Sequence, residues 1–148
     1  MARNDPKWPA RGGSVLRGAW AGLAATAPMT VVLVVAERLR LLDEPPPVRI
    51  VHHLLPGLDE ATTRAVAAVA HAGYGAAGGA ALALLAPAGR IRPGAAVGYG
   101  LLVYVLSYQG WVPLMGVLPP AHRDRRSRVL AVVAAHVVYG LGLARRGR

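Results

Sequence analysis

The sequence predicts an all-α integral membrane protein: a four-helix bundle made of two parallel helical-hairpin repeats, with a short interfacial amphipathic helix. Three observations predict it. Hydrophobic residues make up 54% of the 148 and charged residues only 16%, too oily a balance for a soluble domain of this length. The charges lie between long uncharged runs, Gly18 to Ala36, Ala65 to Gly89, Pro93 to Ala121 and Val129 to Ala144. Finally, HAGYG at 71–75 returns as HVVYG at 136–140, the same His, Tyr and Gly spacing in two different runs.

A basic segment, 1–17, comes first and is expected on the cytoplasmic side. The first span is predicted at about 14–36. Ala25-Thr26-Ala27 resembles a signal-peptidase site, but the apolar run continues through Met29 to Val35 and is long enough to cross a bilayer, so a retained helix is expected. Pro45-Pro46-Pro47 ends any continuing helix, and Pro47 suits the first turn of a new one. From there Val48, Val51, Leu54, Leu55 and Leu58 fall on one face, the pattern of an amphipathic helix on the membrane surface, stopped by Pro56-Gly57. Asp59 is placed to cap the second span, about 65–89, with Glu60 complementing its dipole.

A tight turn, Pro87 to Pro93, leads to the third span at about 93–118, and an Arg-rich connection to the fourth at about 128–145. The basic tail is 145–148. Pro28 and Pro113 are expected to kink their spans. With both termini inside, nine Lys and Arg fall inside and eight outside, and the acidic residues gather outside; this favours N-in, C-in only narrowly.

The composition also excludes chemistries. There is no Cys, hence no disulfide, thiolate nucleophile or Cys-bound metal. A net charge of +10 suggests nucleic acid, but the Arg residues sit in turns and tails rather than along an aromatic-laced stripe, so no nucleic-acid partner is expected. No Gly-rich phosphate loop, HExxH or GxSxG occurs, and the chain is expected not to be an enzyme. Lys occurs only at Lys7 and Phe not at all, a bias of GC-rich coding.

The repeat carries the candidate site. Each hairpin crosses the membrane twice, so its two copies point the same way. His71 lies seven residues after Arg64 and His136 eight after Arg128, which at about 1.5 Å per residue places both at a similar depth in one leaflet. His71 with Tyr74, and His136 with Tyr139, share a helix face and should turn from lipid toward the bundle interior, where Ser107, Tyr108 and Gln109 are expected to join them. Small residues at Gly18, Gly22, Gly75, Gly79, Gly94, Gly98 and Gly140 are expected to let helices approach closely.

The leading reading of the His-Tyr pairs is a structural clasp between helices. One alternative is a path for protons or a small solute, and a second is bis-His ligation of haem or a metal. No cofactor is otherwise expected. His52, His53 and His122 share the outer surface with Asp43, Glu44, Asp59 and Asp124, and read as solvated side chains before they read as a metal site. The expected partner is the lipid bilayer, with a homo-oligomer also possible.

GAWAGLAATAPMT at 18–30, AHAGYGAAGGAAL at 70–82, the run from Gly94 to Pro120 and AHVVYGLGLA at 135–144 together resemble the YagU-like families of small four-helix bacterial inner-membrane proteins. The resemblance implies an inner-membrane location and an unknown molecular function, with no catalytic residues to transfer.

Overall fold

A computed structural model describes residues 11–86 and 91–146, with side chains over 14–86 and 91–144. The start of the basic segment, turn residues 87–90 and the last two residues of the tail lie outside that range. The described residues are helical and contain no strand. Their elements are α1 (Arg11–Arg38), α2 (Pro46–Leu54), α3 (Glu60–Leu85), α4 (Pro93–Tyr104), a π-helical segment (Val105–Trp111), α5 (Val112–Leu114), a 3-10 turn (Ala121–Arg123) and α6 (Arg126–Arg146).

By length and composition, Ser14–Arg38, Glu60–Leu85 and Arg126–Ala144 can each cross a membrane. Their outer faces agree: Trp20, Leu85 and Leu130 are 68%, 74% and 68% exposed. Large apolar side chains presented so widely fit a lipid surround better than water.

Local signals explain the helix ends. Asp59 accepts a hydrogen bond from the Thr62 backbone N–H at 3.0 Å, capping α3 as its type and position predict. α1 ends with Arg40 at φ 58°, and the Leu41 N–H returns to the Ala36 carbonyl at 2.9 Å, closing the orphan carbonyls of the last turn. α2 begins at Pro46. Its Val48 and Val51 are buried against Ala67 of α3, so part of the face expected to meet lipid meets protein instead. Leu54 and Leu55 stay about half exposed.

The third span departs from a regular helix ahead of Pro113, where a kink is expected. After Tyr104 the helix widens, and the Val112 N–H bonds to the Ser107 carbonyl five residues back. Pro113 has no N–H to offer the Gln109 carbonyl, and its ring would strike that carbonyl in a regular α-helix. The wider turn relieves both problems, with Gly110 at φ −96°, ψ −106°.

Two close crossings organise the rest. A Cβ built on Gly22 would lie 2.9 Å from the Gly79 Cα, and one on Gly79 only 2.7 Å from the Gly22 Cα, so α1 and α3 touch backbone to backbone. α4 meets α6 similarly: a Cβ on Gly140 would lie 2.7 Å from the Val97 Cα, and one on Gly100 3.2 Å from the Gly140 Cα. Gly94 and Gly98 do not take part, since a Cβ on either meets nothing within 4 Å. The stripe that faces α6 is Ala96 and Gly100, two residues along and therefore on nearly the opposite side of the helix. α6 also packs on α1, where Gly142 abuts Ala25. Tyr104, Tyr108, Val132, Ala135, Tyr139, Met29 and Leu33 fill the core between.

Gly22→Ala and Gly79→Ala are each expected to destabilise the detergent-solubilised protein by about 1–3 kcal/mol, because neither backbone can retreat freely. Gly94→Ala and Gly98→Ala should leave thermal unfolding unchanged or slightly improved. Equal losses at all four positions would contradict these crossings.

Candidate functional site

A cavity of about 230 Å³ lies between α1, α2, α3, the π-helical segment and α6. Its wall is mostly apolar, but it brings His71 and Tyr74 of α3 together with His136 and Tyr139 of α6. Ser107 and Tyr108 line it too, because the π-helical turn carries them there. Gln109 does not: its side chain is exposed and accepts a hydrogen bond from the Ala121 N–H at 3.0 Å, supporting the 3-10 turn. α2 contributes Pro46, Pro47, Ile50 and Val51 to the lining.

The two His-Tyr motifs are used differently. His71 Nδ1 stands 3.2 Å from the Thr30 hydroxyl, tying α3 to α1. His136 Nδ1 stands 2.8 Å from the Val132 carbonyl of its own helix, and its ring meets Tyr104 edge-on with centroids 5.5 Å apart. Tyr139 donates to the Gly75 carbonyl at 2.7 Å, so the second motif reaches across to the first. Tyr99, from α4, donates to the Gly78 carbonyl at 2.6 Å. Tyr74 makes no such reach; it is 42% exposed and its ring lies 6.2 Å from that of Trp111. Pro28 in α1 stands beside two hydroxyls that fold onto their own helix, Thr26 to the Gly22 carbonyl and Thr30 to the Thr26 carbonyl, both at 2.9 Å.

Behind the cavity wall lies a charged network. Tyr108 donates its hydroxyl hydrogen to Asp124, whose side chain is 2% exposed. Arg128, 6% exposed, donates to Asp124 at 2.6 Å and to Asp43 at 2.9 Å, and Arg125 donates to Asp43 at 2.7 Å. Asp43, in the connection after α1, is thereby fastened to the start of α6. Its carboxyl is held below the ordinary value of 3.8, chiefly by the Arg125 hydrogen bond and charge and then by Arg128. A separate exposed cluster joins Arg64 to Glu37 and Glu60, and His52 to Glu44 at 2.6 Å.

The sequence offered a partial signal for the Asp124 network. Asp124 and Arg128 are four apart at a helix start, the spacing of a facing ion pair. Nothing local marked Tyr108 as their partner, because the contact depends on how α4 and α6 cross. His53 and His122 stay outside the network, and among the described residues no cluster of three or more His, Asp or Glu is arranged to hold a metal ion.

No family model matches the chain, and no curated protein or solved structure matches it either. The arrangement of its residues therefore carries the functional argument. Chemically, the cavity offers an apolar space with two imidazoles on its wall, backed by a buried carboxylate-guanidinium pair that holds Tyr108.

Arg128→Met is expected to destabilise the protein by about 3–5 kcal/mol, since it strands the buried Asp124 charge, and adding Asp124→Asn should recover part of that loss. The Asp43 contribution has a defined sign. A depressed native pKa gives stability above the unfolded value, lost as pH falls through the native one. The difference in melting temperature between the wild type and Asp43→Asn should therefore be constant at neutral pH and close below about pH 3.8.

Proposed function

We propose that this chain is a non-enzymatic integral protein of the bacterial inner membrane, a four-helix bundle of two related hairpins, whose interior cavity binds and carries a small apolar molecule. In this reading α1 with α3 forms one hairpin unit and α4 with α6 the other, the kinked segment 93–114 serves as the remaining span, and both termini lie in the cytoplasm.

One observation carries the binding reading: the cavity of about 230 Å³ at the meeting point of both His-Tyr motifs. A dry apolar cavity of about 150 Å³ is enough to take up benzene, so this one has room for a molecule up to about half as large again. The clasp reading keeps its place beside this one, since His71 with Thr30 and Tyr139 with Gly75 do join helices.

Toluene at saturating concentration is expected to raise the melting temperature of the detergent-purified protein. At one hundred times its Kd the gain should approach about 2.7 kcal/mol. Val132→Phe and Val103→Phe, which project into the cavity, should each abolish the response while the variants remain folded. An identical response in the filled variants would place toluene somewhere other than the cavity.

Because the native sequence has no Cys, single cysteines report topology cleanly. Cys placed at Ser14 should react with an impermeant maleimide only after the cell is opened, and Cys at Leu58 or His122 in intact spheroplasts. The reverse pattern would invert the assigned orientation.

A further inference from the structure

We infer that the cavity selects uncharged molecules bearing an O–H or N–H donor on a body about the size of a substituted benzene ring, recognised by the Nε2 atoms of His71 and His136. The inference rests on the binding role proposed above and follows from counting donors and acceptors on the wall. Tyr139 has committed its hydroxyl hydrogen to Gly75, Tyr108 to Asp124, Thr26 to Gly22, and Ser107 to the Val103 and Tyr104 carbonyls. None of these four has a hydrogen left to donate into the void.

The same count fixes the His136 tautomer and ties that of His71 to where Thr30 places its hydrogen. The Val132 carbonyl can only accept, so His136 Nδ1 carries the hydrogen in that 2.8 Å contact. Thr30 has one hydrogen and stands nearer the Thr26 carbonyl, at 2.9 Å, than His71 Nδ1, at 3.2 Å; with the hydrogen on the carbonyl, its oxygen accepts from His71 Nδ1. In the neutral rings each Nε2 is then a bare acceptor. Neither has a hydrogen-bond partner among the described residues, and both rings line the cavity. Two donors on the lining have no hydrogen-bond partner among the described residues, the Tyr74 hydroxyl and the Trp111 indole N–H; their ring centroids lie 6.2 Å apart, with Tyr74 on the exposed side.

An acceptor-rich apolar cavity discriminates by what enters it. A hydrocarbon fills the volume but leaves the imidazole nitrogens stripped of water, whereas a phenol fills it and satisfies one of them. A carboxylate or phenolate would give up its hydration against a mostly apolar wall and meet the lone pairs of both imidazoles, and is disfavoured relative to the neutral donor.

The test uses full-length protein in detergent with Trp8→Phe and Trp20→Phe, so that Trp111 on the cavity wall is the fluorescence reporter. Phenol, anisole and toluene are titrated, each corrected for micelle partition. Phenol should bind about tenfold more tightly than anisole or toluene. In His71→Phe and His136→Phe, which keep a flat ring but remove the acceptor, that preference should shrink several-fold while toluene affinity is retained, and in Tyr74→Phe it should persist.

Equal affinities of the three probes in the otherwise native chain would overturn donor selection yet leave cavity binding standing. That comparison needs no His variant to fold. Binding of none of them would overturn both readings. A preference for phenol that survives loss of both imidazoles, or vanishes in Tyr74→Phe alone, would also refute the assignment to His71 and His136.

Discussion

A polar group in hydrocarbon has no water to fall back on, and the arrangement of this chain follows from that constraint. Five hydroxyls of the described residues, those of Thr26, Thr30, Tyr99, Ser107 and Tyr139, are folded onto main-chain carbonyls, whereas Thr63 is buried with its hydroxyl unpaired. Thr26 and Ser107 use carbonyls of their own helices, while Tyr99 and Tyr139 use those of a neighbour. The two kinds of bond do different work. The first hides a polar atom within one helix, and the second also fixes which helices stand side by side. Tyr99 and Tyr139 both end on α3, at Gly78 and Gly75; Gly75, which faces Thr26 and Gly22 of α1, also offers the carbonyl that Tyr139 of α6 takes, while Gly78 makes room for the two tyrosine hydroxyls.

The two HxxYG motifs thus match in sequence but not in use. Gly75 faces Thr26 and Gly22 of α1, and Gly140 faces Ala96 and Val97 of α4, so in each motif the glycine marks a close helix crossing. The imidazoles differ: His71 is bound across helices and His136 along its own. Tyr139 is buried in the core, while Tyr74 lies toward the outside. The two glycine crossings are alike, and the His and Tyr side chains beside them are not.

Much of this was legible from residue types and spacing, because lipid makes local signals strong. Long uncharged runs located α1, α3 and α6, Asp59 announced a cap, and the His spacing brought His71 and His136 to one cavity wall. The failures have a common physical cause. Whether Gly94 and Gly98 or Ala96 and Gly100 face α6 depends on the rotation of α4 about its axis, and Ala and Gly are both small enough for either choice. Gln109 was grouped with Ser107 and Tyr108 by adjacency, but a helix turns about 100° per residue and the π-helical turn changes even that. The pairing of Tyr108 with Asp124 joins segments whose mutual placement no local pattern encodes.

The widened turn at 105–111 has a consequence for descent. A π-helical turn holds one residue more than an α-helix needs to cover the same length, and so amounts to a tolerated insertion. Deleting one residue there would let the backbone regain regular pitch and swing Ser107, Tyr108 and Trp111 to new azimuths, dismantling one wall of the cavity without touching either histidine. Among homologues, a one-residue gap at this point would be the mark of a chain that keeps the scaffold and has given up the chamber.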